Sequence, residues 1–166
     1  GEYNGIYALT EQIDGRFTRE NFDDGTGNLY KEVWPLTNEG EAKTNDWDFE
    51  WALKTNEDED PTFDIVHGFS QAIANANKDD LQQVMREWMN IDPVLAYAVV
   101  DRAIANDDGV FHWYCDDERI GGEGSNLEQF SCNAHNFYWY EDPTAGTMHL
   151  IPWDLDNAFE NISRPN

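Results

Sequence analysis

Two apolar runs near the C-terminal end of the chain are separated by turn chemistry. Residues 137–140 are aromatic throughout and residues 148–153 are mostly apolar, and both runs favour extended backbone. Between them lies Asp142-Pro143-Thr144-Ala145-Gly146, in which proline presets φ and glycine admits φ > 0. The pattern predicts a β-hairpin. Paired strands run roughly 5 Å apart, so the residues entering the first strand, His135 and Asn136, come close to those leaving the second, Asp154, Leu155 and Asp156. An amide and two carboxylates gathered there are suitable oxygen ligands for a hard divalent cation. Asp is also a preferred helix N-cap, so Asp154 or Asp156 capping a short helix over 155–160 stays open beside the ligand role.

Upstream the polar–apolar pattern changes period. Residues 5–13 alternate, with Tyr7, Leu9, Glu11 and Ile13 on one face of an expected strand. A short helical turn is expected over 17–22, a loop over 23–27, and a second strand over 28–34 with Leu29, Lys31 and Val33 on one face. Glu11 and Lys31 are then charges on apolar faces. A buried pair is tolerable where either charge alone is not, so they are either an internal ion pair or strand-end groups pointing to water. Residues 35–60 are polar and acidic. Helical spacing begins at 63–75 (Phe63, Val66, Phe69, Ile73) and is clearer at 78–90 (Leu81, Val84, Met85, Trp88). Asp92-Pro93 predicts an N-cap and first helical residue, opening a helix through 105 that is apolar on most faces and so expected to be buried. Asn106-Asp107-Asp108-Gly109 ends it, with Gly109 the expected left-handed residue. Asp108 is a second place for carboxylate chemistry, or an ordinary turn aspartate.

Composition narrows the function classes. Seven Trp, seven Tyr and nine Phe oppose disorder in a chain of 166 residues despite a mean hydropathy of −0.75. The formal net charge of −24 argues against an electrostatic nucleic-acid binder, which needs Lys and Arg to neutralise phosphates. It fits a solubilising surface or, more specifically, cation binding. No apolar run approaches the ~20 residues of a membrane span. Cys115 and Cys132, the two cysteines, flank a Gly- and Asp-rich loop. They suit a disulfide made in an oxidising compartment, or two buried thiols, but not a zinc site. The chain opens mid-pattern and stops without a finishing element, as a piece of a longer protein would.

Five stretches in order resemble the CotH family of spore coat protein H-like atypical kinases. They are residues 5–14 (GIYALTEQID), 27–31 (GNLYK), 106–109 (NDDG), 135–140 (HNFYWY) and 151–156 (IPWDLD). The resemblance implies an α+β, atypical protein-kinase-like fold, present in part: the end of a β-rich N-lobe and a helical C-lobe with the catalytic hairpin. Residues 1–166 would be a single domain fragment, strand-rich over 1–36, with helices and the metal-site hairpin over 62–166. The implied activity is transfer of the ATP γ-phosphoryl group to Ser or Thr of a secreted or surface protein, with Mg or Mn as cofactor (Ca being possible). Asp108 would be the catalytic base; Asn136 and Asp154 would bind metal, assisted by Asp156. Glu11 and Lys31 would serve the nucleotide. The family's upstream Arg-Gly loop and lysine-bearing strand do not appear among these residues, the 108–136 stretch is longer than the family pattern, and the helices that complete the C-lobe are not seen. A non-catalytic scaffold of the same fold and a Ca-stabilised structural module remain as rival readings.

Overall fold

The computed structural model describes residues 5, 10–106, 108–111, 114, 115, 132–156, 158 and 159. Its elements follow the chain as α1 (Gly15–Asn21), β1 (Leu29–Lys31), α2 (Trp47–Glu50), α3 (Asp64–Asn75), α4 (Leu81–Trp88), α5 (Ile91–Ala103), β2 (Tyr114–Cys115), β3 (Cys132–Asn133), β4 (Phe137–Asp142) and β5 (Thr147–Pro152). This is an α+β arrangement of helices and small antiparallel sheets. No helix among the described residues is long and apolar enough to cross a membrane.

The hairpin forms the centre. β4 and β5 pair from Asp142↔Thr147 to Phe137↔Pro152, and β1 adds on the far side of β4 in the order β1-β4-β5. The turn closes as its residue types dictate. Asp142 Oδ1 accepts the Thr144 and Ala145 N–H groups at 3.0 and 2.9 Å, the Gly146 N–H reaches the Asp142 carbonyl at 2.8 Å, and Gly146 takes φ 65°.

As the middle strand, β4 is covered on both faces, which is why it reads as an unbroken aromatic run. Phe137 and Trp139 join the larger core with Phe49, Val66, Phe69, Met89 and Met148. Tyr138 and Tyr140 face the other way, into a smaller cluster with Ile13 and Leu29 against which Phe17, Phe22, Ile151 and Trp153 pack. Truncating a ring as enclosed as Phe137, which has no exposed surface, typically costs about 3–5 kcal/mol.

Several expectations need correction. Residues 6–9 lie outside the described residues, and residues 10–13 are not in a strand, although Ile13 is buried. β1 is shorter than 28–34 because Glu32 turns left-handed at φ 54°. The internal Glu11–Lys31 pair does not form: Glu11 is exposed, and the carboxylate beside Lys31 Nζ, at 4.0 Å, is that of Glu32. α5 begins at Ile91 with Asn90 in the cap position, so Asp92 lies inside the first turn. Nor is α5 buried: Leu95, Val99 and Val100 are exposed, and its one buried residue is Asp101. Apolar composition on every face leaves no periodicity to say which face is covered. The left-handed residue after α5 is Ala105 (φ 50°), not Gly109. Described residues 154–156, 158 and 159 form no helix.

Candidate active site

The open end of the hairpin and the segment after α5 meet. At the hairpin end, Trp153 N–H donates to the Asn136 carbonyl at 2.8 Å, one step beyond the last strand pair. Asp154 therefore follows directly on a residue bonded to Asn136, as the hairpin register required. Both Asn136 and Asp154 are left-handed, at φ 61° and 49°, a region that Asn and Asp tolerate better than other non-glycine residues.

The Asn136 side chain joins this end to Asp108. Its Nδ2 donates to the Asp108 carboxylate Oδ2 at 2.9 Å and to the Asp108 carbonyl at 2.8 Å. With both amide protons directed at Asp108, Oδ1 is left as the acceptor end of the amide. A carbonyl oxygen of this kind and the exposed Asp154 carboxylate are the donor chemistry a hard cation takes. Among the described residues no three His, Cys, Asp or Glu side chains gather as a cation cage. An ion held by these two groups would need further oxygens, from phosphate or water, to complete its shell. Asp156 is exposed nearby in the chain.

Asp108 is held from its N-terminal side by a network that starts inside α5. Asp101, with no exposed surface, accepts the Tyr97 hydroxyl at 3.0 Å, the Asn106 amide at 2.8 Å and Arg102 Nη2 at 2.8 Å. Arg102 Nη2 also donates to the Asn106 carbonyl at 2.7 Å, and Asp108 N–H lies 3.4 Å from Asn106 Oδ1. Burial, and then the neighbouring Asp101 carboxylate, push the Tyr97 phenol up, so it stays a donor. Gly109 is explained here, since a Cβ on it would lie 2.4 Å from Asn106 Nδ2 and 2.7 Å from Asp101 Oδ1.

The structure thus brings together Asp108 and Asn136 through side chains, with Asp154 adjacent through backbone. Lys31 is near the group through Glu32, while Glu11 is exposed and forms no ion pair with Lys31. The backbones of Cys115 and Cys132 are direct partners across β2 and β3, but their side chains lie outside the described residues. Sequence reasoning missed Glu32, Asp101 and Asn106. Asp101 had a signal: with Arg102 it interrupts the apolar run from Val94 to Ala105, four residues after a tyrosine.

The family model for the CotH kinase protein matches residues 1–166, the whole chain. No curated protein matches it.

Proposed function

The chain belongs to the CotH kinase protein family, and we propose that it transfers the γ-phosphoryl group of ATP to a Ser or Thr hydroxyl of a protein. The observation that carries this reading is the Asn136 amide. It binds Asp108 with its nitrogen at 2.9 Å, and its chain carbonyl is bonded to the residue before Asp154. Phosphoryl transfer asks for a carboxylate that orients the acceptor hydroxyl and oxygen ligands for the metal; Asp108, Asn136 and Asp154 have those chemistries. On this reading the fold is an atypical protein-kinase-like one.

In the proposed reaction the acceptor hydroxyl oxygen bonds to the γ-phosphorus and the bond to the β,γ-bridging oxygen breaks. ADP leaves, and the hydroxyl proton passes to the Asp108 carboxylate. Asn136 fixes that carboxylate by direct hydrogen bonding, so no rotamer search is needed at the moment of attack. Asn136 Oδ1 and Asp154, assisted by Asp156, would hold Mg or Mn, which neutralises phosphate charge when bound. Lys31 and Glu11 are assigned to the nucleotide side. A disulfide between Cys115 and Cys132 would suit a secreted or surface protein.

Calorimetry of ATP binding in Mg²⁺, in Mn²⁺ and in chelator tests the proposal. Metal-dependent binding that is lost in Asp154→Ala, together with phosphoryl transfer that is lost in Asp108→Ala, is the expected result. Unchanged ATP affinity in Asp154→Ala overturns the site assignment. The absence of binding in every metal moves the chain to the non-catalytic scaffold, and Ca²⁺ binding without nucleotide to the structural module.

A further inference from the structure

Glu32 is the first residue after β1 and has the wrong chemistry for its backbone. A left-handed φ of 54° is unfavourable for a side chain with no short polar group to bond locally. What holds it there is a reciprocal clasp with the open end of the hairpin. Glu32 N–H donates to the Phe137 carbonyl at 3.2 Å, and Glu32 Oε1 accepts the Asn136 main-chain N–H at 3.0 Å. β1 pairs with β4 only as far as Lys31↔Tyr138, so at Asn136 a side-chain carboxylate replaces the missing strand as acceptor. The same carboxylate lies 4.0 Å from Lys31 Nζ and 3.9 Å from His135 Nδ1.

The position of this bond gives it consequences. Asn136 is itself left-handed, and its amide holds Asp108 with two hydrogen bonds. Rotation of the Asn136 peptide would swing that amide off Asp108; the Glu32 carboxylate opposes it at the Asn136 N–H, as Trp153 N–H does at the carbonyl. We infer that Glu32 is a positioning residue for phosphoryl transfer, fixing the Asn136 backbone and through it the Asp108 carboxylate. This rests on the reading of the site as a phosphoryl-transfer centre.

The test compares Glu32→Gln, which keeps an acceptor oxygen in place without the charge, with Glu32→Asp, which keeps the charge but withdraws the oxygen by one methylene. Glu32→Ala removes both. Two readouts are taken on the full chain: turnover with ATP, and amide hydrogen exchange at Asn136 with the Leu29 and Tyr30 amides as references. A charge-assisted hydrogen bond is worth enough to change an opening equilibrium roughly 10- to 100-fold. The Asp and Ala variants are expected to lose that factor in kcat with KM for ATP nearly unchanged, and to exchange the Asn136 amide faster by a similar factor. The Gln variant is expected to fall between wild type and Ala, within about tenfold of wild type in both, because a neutral acceptor retains about half of the bond.

Equal exchange at Asn136 in wild type and Glu32→Ala overturns the inference, as does a Gln variant as impaired as Ala. Should Ala not fold, the Gln and Asp pair decides alone. Should wild type show no turnover, the phosphoryl-transfer reading falls, while the exchange comparison still decides whether Glu32 fixes Asn136.

Discussion

Glu141 sits on β4 with its side chain in the larger core side of the sheet, and its replacement by glutamine should remove most of one pH dependence of folding. The residue is 3% exposed and no cation among the described residues forms an ion pair with it; Oε1 accepts the Tyr30 hydroxyl at 2.8 Å and the Val66 N–H, in the first turn of α3, at 3.0 Å. Burial penalises the carboxylate more than these two donors favour it, and the group is pushed from 4.5 up to about 7. A carboxyl whose pKa is higher in the folded state binds more protons when folded. Its contribution to stability is complete below the unfolded value and disappears as pH rises through the folded one. Between pH 5 and pH 8 that amounts to about 2–3 kcal/mol, or roughly 5–10 °C in midpoint for a chain of this size. Glutamine resembles the protonated acid: its oxygen accepts the same two donors and its NH₂ replaces the acid O–H. Thermal and urea unfolding of wild type and Glu141→Gln at pH 5, 6.5 and 8 provide the comparison. The difference between the two proteins should grow with pH in favour of the variant. Parallel curves across that range would refute the reasoning, because every other titrating group is common to both.

Two further outcomes are expected. Gly109→Ala should lower stability by about 2 kcal/mol and reduce any turnover further than its stability loss explains. The new Cβ falls 2.4 Å from the Asn106 amide and 2.7 Å from the Asp101 carboxylate, and neither side chain has exposed surface through which to withdraw. A denaturation midpoint equal to wild type contradicts it. Reduction of a Cys115–Cys132 bond, for which the paired backbones of β2 and β3 are suitably placed, should cost roughly 3 kcal/mol for a loop of this length. Two free thiols by mass spectrometry under non-reducing conditions remove the basis of that expectation.

The parts of the site that were legible in the sequence are those fixed by local rules. Two apolar runs and the turn chemistry between them define the hairpin, and hairpin geometry alone brings Asn136 to Asp154. Asp108 stood out by its place after a helix, but a role beside Asn136 came only through resemblance, because their contact spans 28 positions of chain and no periodicity reports a contact of that range. The exposed apolar face of α5 was misread for a related reason: composition states that a helix is apolar, while only packing decides which residues are covered. Asn106 and Gly109 read as turn residues, yet they are the walls of a buried carboxylate network. Short polar residues serve both uses equally well.

Glu32 was illegible because glutamate carries no signal for left-handed backbone. Four of the non-glycine residues with positive φ, Glu32, Ala105, Asn136 and Asp154, lie on the segments that meet at the candidate site. Left-handed backbone costs an ordinary residue on the order of 1–2 kcal/mol relative to glycine. Selection for stability alone would therefore favour glycine at such positions. At Asn136 glycine would relax the backbone and delete the amide that holds Asp108. At Glu32 it would delete the acceptor that holds Asn136. At Asp154 it would delete a carboxylate. In each case the side chain does something that the relaxed backbone cannot do, and hydrogen bonds from neighbouring segments retain the strain. Asn56 and Phe159 are left-handed as well, so the strain is not unique to this place, but at Glu32 and Asn136 it coincides with side chains that hold a neighbouring segment, the pattern expected where geometry is maintained at some cost in stability.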